Sequence, residues 1–328
     1  MQSLLVAWPN RAPQDRSTPW APKEGKKLVR QISLYEDDDL DRLPIDTFLI
    51  YGDTGTGKTT CSGGFPRPLV LADETEGGWK SLRGLSDDQL FEPEVNPIVW
   101  GISEMSDMIA AVNQIRPLVA AGRVLTVVVS SITFYANSYL SHVNRINPGI
   151  DTRQLYGNLA THLREVRTQV HNLGVNVVWE ALADHPESGG EDQPSRPGRP
   201  SIPGKSADQF SAGVGYLFRA ALDDTKKDGK IVDRTLKLYT QPMGGYLSRC
   251  RIGKELKQLP NPLLGGYKGF LEARGYDVAR LRKGLRPIDK SISTAPAAMA
   301  LPTKPPIISK PKAVSPPAAI TKPATATK

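Results

Sequence analysis

The chain has only two cysteines in 328 residues, Cys61 and Cys250. They lie far apart and lack metal-ligand spacing, so neither a disulfide framework nor a zinc site is expected, and a reducing compartment fits. Long apolar runs are also missing. No stretch approaches the ~18 residues of a membrane span. The opening MQSLLVAWPNRAP has a short apolar stretch and no basic lead, which argues against a secretory signal. A soluble cytoplasmic protein without membrane contact is the expectation. Acids are missing from residues 291–328, which hold Lys304, Lys310, Lys312, Lys322 and Lys328 and leave +3 of the net +8 to the first 290 residues. The basic balance is thus largely a property of the tail. Nucleic acid is one partner for such a tail; a solubilising flexible end is the other reading. The apolar content of 39% supports a real core, in one large α/β domain or two small ones.

What is present centres on GDTGTGKTT, residues 52–60. It fits G-x-x-x-x-G-K-[ST], and the β-prone run Thr47-Phe48-Leu49-Ile50-Tyr51 leads into it. Strand, glycine-rich turn and helix start are the context in which that motif binds phosphate. Gly52, Gly55 and Gly57 are expected to let the backbone curl so that its N–H groups face inward. Asp53, Thr54, Thr56 and Thr60 complete the cradle, and the following helix aims its positive end at the same spot. Lys58 is expected to reach the β and γ phosphates of ATP, and the Thr59 hydroxyl to hold Mg²⁺.

Downstream, Gly63-Gly64-Phe65-Pro66 ends a short helix, and residues 68–72 read as a second buried strand running into Asp73-Glu74-Thr75-Glu76. Carboxylates at the end of a parallel strand sit where such sheets bind ligand. Glu76 is preferred over Glu74 as the group that polarises the attacking water; capping of the next helix is the plainer reading of all three acids. Residues 97–100 read as a third strand, followed by a helix capped by Ser103 or Ser106 with Met105, Ile109, Val112 and Ile115 on one face. Residues 124–129 form an unbroken β-branched strand typical of a sheet covered on both sides, ending in Ser130-Ser131-Ile132-Thr133.

The clearest helix spans about 153–173, with Leu155, Leu159, Leu163, Val166, Val170 and Leu173 in helical spacing and Gly174 closing it. Residues 175–179 are the next strand. It ends at Glu180, either a group facing the γ-phosphate or a solvated strand end. Residues 183–206 read as a long irregular loop of mixed charge with no aromatic stacking platform. An amphipathic segment holds Phe210, Val214, Leu217 and Phe218. Strands follow at 231–232 and 236–239 around an Asp228-Gly229 turn. Ser248-Arg249-Cys250-Arg251 puts two arginines on one strand face, and residues 263–284 look helical. Pro9, Pro13, Pro19 and Pro22 argue against regular structure at the start, and residues 36–41 read as an acidic turn. The Pro-, Ala- and Lys-rich tail is expected to be disordered.

The order of parts resembles the RecA-like ATPase core of the AAA family. In particular it resembles phage-encoded nucleotide-binding proteins of that class that act in single-strand annealing or recombination. The resemblance covers roughly residues 45–255 and is carried by GDTGTGKTT, LVLADETEGG, TVVVSSIT, VNVVWEA, Pro203-Gly204-Lys205 and SRCR. It implies an α/β fold with a mostly parallel sheet flanked by helices. The expected divisions are an extension over 1–45, the core over 46–255, a small helical segment over 256–288 and the tail over 289–328.

The resemblance also assigns roles. Lys58 and Thr59 meet phosphate and Mg²⁺, and Glu76 is the catalytic glutamate. The loop after Glu180 contacts single-stranded DNA. Arg249 and Arg251 reach the γ-phosphate of a neighbouring subunit, which implies a homo-oligomeric ring or filament. One departure stands out. The family's valine-rich strand ends in Asp-Ser, where the Asp holds Mg²⁺ through water; here Ser130 stands in its place. Asp73 is the candidate to compensate, hydrolysis is expected to be slow, and Ser130→Asp is expected to raise turnover. The function expected is an ATP-binding and ATP-hydrolysing phage protein acting on single-stranded DNA in recombination or replication, in the host cytoplasm. The alternatives are a helicase loader or motor accessory with phage or host replication or recombination proteins as partners, and a nucleotide-gated binder with little turnover.

Overall fold

A computed structural model describes residues 40–102, 105–189, 195–227, 230–251, 259–289 and 291–295. The expectations for the proline-rich start, the acidic turn before residue 40, the Ser103 cap, the Asp228-Gly229 turn and the lysine-rich tail fall outside these residues.

Six strands run parallel: β1 (Thr47–Tyr51), β2 (Pro68–Asp73), β3 (Ile98–Ile102), β4 (Thr126–Ser130), β5 (Asn176–Ala181) and β8 (Tyr216–Lys227). The sheet order is β10-β8-β1-β5-β4-β2-β3. β9 (Lys230–Tyr239) and β10 (Arg249–Cys250) pair antiparallel with β8. The mostly parallel sheet was expected. In this order β5 separates the phosphate-loop strand β1 from the valine-rich β4.

Strand side chains alternate between two apolar layers, as a period of two requires. Leu49, Leu71, Val127, Val129, Val177 and Trp179 face α2 (Met105–Ala120), α3 (Ile132–Ile146), α4 (Thr152–His171) and α5 (Ser206–Ala212). Phe48, Ile50, Val70, Val128, Val178 and Phe218 face the other way, toward α1 (Lys58–Gly63), α6 (Gly266–Ala273) and α7 (Val278–Lys283). Being covered on both faces is why these strands read as continuous apolar runs. The second layer is aromatic. Phe48 lies within 5.1 Å, ring to ring, of Phe65, Tyr216 and Phe270, so α6 is docked by ring packing.

Helix α4 follows its predicted stripe: Leu159, Leu163, Val166 and Val170 are buried, and Asp151 caps it by accepting from the Arg153 and Gln154 amides. Three expectations are corrected. Ile132 and Thr133, read as the end of the valine-rich strand, open α3 instead. The segment holding Phe210, Val214, Leu217 and Phe218 is not one amphipathic piece, because Gly213 ends α5 and Leu217 and Phe218 lie on β8. The loop after β5 is less irregular than expected: β6 (Ala183–Asp184) pairs with β7 (Arg199–Pro200), and Glu187 bridges Arg196. No helix among the described residues is long and apolar enough to cross a membrane, and both cysteines are free.

Arg67 fastens the start of β2 from within. Its Nε and Nη2 grip the Glu92 carboxylate at 2.9–3.2 Å, and Nη1 donates to the Gly122 and Arg286 carbonyls at 2.6 and 2.7 Å. The side chain is 4% exposed. Arg67→Ala leaves a carboxylate and two carbonyls without their donor. Breaking such a pair from one side costs about 3–5 kcal/mol, so denaturant unfolding of Arg67→Ala should show a loss of that size. A loss below about 1 kcal/mol would mean the pair behaves as a surface bridge.

Candidate functional site

The strands' carboxyl ends share one edge, and the chain leaves β1 there into residues 52–57. Gly55 and Gly57 hold φ of 79° and 81°, a region open to glycine. Gly52 answers a different need: a Cβ there would stand 2.4 Å from the Ala220 carbonyl oxygen of β8. Asp53 and Thr54 are exposed at the loop tip, and Thr60 is half-buried on α1. Thr56 Oγ1 donates to the Asp53 carbonyl at 2.8 Å.

Lys58, the first residue of α1, is buried. Its Nζ donates to the Gly52 and Asp53 carbonyls at 2.9 and 2.8 Å. Burial lowers its pKa, against the opposing pull of Glu180 and Asp53. It therefore sits inside the loop it is meant to serve, held only by backbone oxygens that an incoming phosphate can replace.

Glu180, which the sequence leaves open between a phosphate-facing group and a solvated strand end, lies inside the cluster. On β5, even-numbered positions face α1, and this one is 1% exposed. Its Oε2 accepts from Thr59 Oγ1 at 2.8 Å and from Ser130 Oγ at 2.7 Å. Its Oε1 is buried with no hydrogen-bond partner. It is no solvated strand end. The signal was available: counted from Val178, the period of two puts Glu180 on the same face as Ser130, and the register that pairs Val129 with Trp179 carries the two together.

At the end of β2, Asp73 accepts from the amide and hydroxyl of Thr75, and its carbonyl accepts from the Glu76 amide at 3.1 Å. It shapes the turn that presents Glu76. The carboxylate bonded to Thr59 and Ser130 is Glu180, not Asp73. Glu74 lies against Gly101 of β3, filling the space a Cβ there would need. Glu76 is half-buried, and its carboxyl is pushed up to about 7 by burial, then by the charges of Asp73 and Glu180. A carboxyl near neutrality suits a general base.

The donor set fits magnesium. Two hydroxyls and a carboxylate with one free oxygen are hard oxygen ligands. No group of three or more His, Cys, Asp or Glu stands together among the described residues. That suits an ion that keeps waters and phosphate oxygens as ligands.

Arg249 and Arg251 are not brought to this cluster. Arg249 pairs with Leu217 near the start of β8, as Tyr216 does with Phe48 at the start of β1, which is the amino edge of the sheet. Their guanidinium groups donate to the Ser211 and Ala212 carbonyls at the end of α5. The stem of the loop after β5 does reach the site. His185 Nε2 lies 3.5 Å from the Asp53 carboxylate, and its Nδ1 lies 2.7 Å from the Tyr246 hydroxyl. The Tyr51 hydroxyl donates to the Leu247 and Gly198 carbonyls.

The raised Glu76 pKa has a sign that can be measured. The folded state holds this proton more tightly than the unfolded chain, whose carboxyl titrates near 4.5. The associated stability is complete below pH 4.5 and is lost as pH rises through about 7. Glu76→Gln removes the loss, so its melting temperature should gain on the unsubstituted protein between pH 5 and pH 8. Parallel profiles would show that Glu76 titrates as an ordinary surface carboxylate.

No curated protein matches the chain. A family model described as an AAA domain matches residues 46–251, which takes in the phosphate loop, the carboxylates at the sheet edge and every strand of the large sheet. With more than half its length covered by that match, the chain belongs to the AAA-domain family of P-loop NTPases.

Proposed function

We propose that the chain is a RecA-like ATPase, phage-encoded, that binds and hydrolyses ATP with Mg²⁺ and acts on single-stranded DNA in recombination or replication. The observation that carries the reading is the meeting of Lys58, Thr59, Ser130, Glu180 and Glu76 at one sheet edge, where a glycine-rich loop opens. Bound ATP and Mg²⁺ supply the phosphoanhydride and the counter-charge for it.

The chain's own groups do the rest. Lys58 exchanges the Gly52 and Asp53 carbonyls for phosphate oxygens. Thr59 offers its hydroxyl to the metal. Glu76 takes the proton from the attacking water, the task for which a pKa of about 7 is suited. DNA contact is supported by the path of the chain: the segment that follows Glu180 touches the phosphate loop through His185 and exposes Arg196 and Lys205. Arg249 and Arg251 lie at the other sheet edge, so their part in hydrolysis is in trans. It rests on the resemblance and calls for a homo-oligomer that brings one subunit's amino edge to the next subunit's loop.

ATP turnover by the full chain should be measurable and should rise with single-stranded DNA. Lys58→Ala should lower it about 100-fold or more, the usual cost of removing one transition-state donor. DNA affinity should fall steeply with salt, with a log–log slope of about −0.7 per phosphate contact. A protein that never retards labelled single-stranded DNA at low salt would sink the DNA half of the proposal; turnover unchanged in Lys58→Ala would sink the other.

A further inference from the structure

We infer that Glu180 has taken over, from the neighbouring strand, the metal-organising charge that Ser130 lacks. The proposal deepens the reading above and rests on it. In this site the residue that follows the valine run of β4 is a serine, which brings a hydroxyl and no charge. The carboxylate comes instead from β5, one strand nearer the phosphate loop, because β5 lies between β1 and β4. It is held in place by two hydroxyls. One belongs to Thr59, the proposed metal ligand; the other is Ser130 itself, at 2.7 Å. Ser130 therefore acts as a spacer that orients Glu180.

Three features set this apart from a merely structural carboxylate. First, Glu180 is 1% exposed and no arginine or lysine lies within salt-bridge distance among the described residues, so no ion pair within the protein offsets its burial. Second, both hydroxyls converge on Oε2, which leaves Oε1 buried and unpartnered. An unpaired carboxylate oxygen at such a place costs stability unless something else fills its coordination. Third, Lys58, whose pKa the charge of Glu180 pulls upward, directs its ammonium at the loop carbonyls rather than at Glu180. A hydrated divalent ion beside Thr59 supplies what is missing, a donor for Oε1 and a compensating charge. Glu180 is thus a positioning residue, acting through Thr59 and through the ion's water, while Glu76 is the group that meets the reacting water.

This assignment reverses the effect expected of Ser130→Asp. A second carboxylate placed against Glu180 would bury two like charges in contact, so that change alone should weaken the site. Moving the charge, with Ser130→Asp and Glu180→Gln together, should restore it.

The test is the affinity of a fluorescent ATP analogue measured with Mg²⁺ and with EDTA. The magnesium gain is read as the ratio of the two dissociation constants, alongside thermal melts without nucleotide. Glu180→Gln keeps the shape, and its own EDTA affinity is the reference for its magnesium gain. Its magnesium gain should fall by about 10–100-fold, the usual cost of losing a carboxylate behind a metal ligand. Ser130→Asp should also lose gain, and the double variant should recover most of it. Recovery in the double variant cannot be ascribed to misfolding of either single one. A full magnesium gain in Glu180→Gln, or a larger gain in Ser130→Asp with Glu180 intact, would overturn the assignment while leaving nucleotide binding standing. An unsubstituted protein that binds no analogue in either buffer would overturn both this inference and the reading on which it rests.

Discussion

A lysine and a glutamate are withdrawn from water at the same sheet edge, and the rest of the molecule is arranged to make that tolerable. Burying an ammonium or a carboxylate costs several kcal/mol each unless hydrogen bonds and opposite charge offset it. Lys58 is met by two loop carbonyls, and Glu180 by two hydroxyls. Neither arrangement is complete: Lys58 makes no salt bridge among the described residues, and one oxygen of Glu180 has no partner. The pair is therefore an edge under electrostatic tension, built where a polyanion with a divalent ion would relieve both halves at once. The apolar layers on either side of the sheet supply the rigidity against which that tension is held.

Strand order is what makes the arrangement geometrically available. With β5 between β1 and β4, a side chain from β5 has the start of α1 on one side and the end of β4 on the other. Period-two alternation then selects which residues arrive. Ser130 and Glu180 share the α1 face with Ile50 and Val178, while Val129 and Trp179 point into the opposite layer. A shift of one residue in either register would send the carboxylate into an aliphatic core, so the apolar pattern and the polar site fix each other.

Much of this was legible in the chain because covered parallel strands and phosphate loops have strong local signatures. β1 lies where residues 47–51 were read, β2 runs one residue past the 68–72 reading, and α4 falls within two residues of the helix read over about 153–173. Other parts were hidden for physical reasons. The run 132–146 mixes Thr, Phe, Tyr, Asn and Ser, residues of middling helix propensity; α3 forms because Ile132, Tyr135 and Ala136 bury themselves against the sheet, a tertiary fact. Gly52, read as one of the glycines that let the loop curl, is a point of close approach to β8. Glu180 was seen, yet its role depended on which strands are neighbours, and strand order is not written in any single segment. Arg249 and Arg251 do share a face, as their spacing suggests, but that face meets the end of α5 rather than the phosphate loop.

The two carboxylates cannot exchange tasks, and their environments say why. Glu180 is 1% exposed, with Oε2 accepting from two donors. Glu76 lies on the turn after β2, half open to solvent, where a water can enter. Its proton affinity is raised first by burial and then by two neighbouring negative charges, one of which is Glu180. The buried carboxylate thus acts twice: it accepts from the Thr59 and Ser130 hydroxyls, and its field adds to the rise of the Glu76 pKa. That division of labour follows from desolvation and like-charge proximity alone. On the proposed reading, it is how a chain with serine at the end of β4 would keep both a metal-organising charge and a general base at one site.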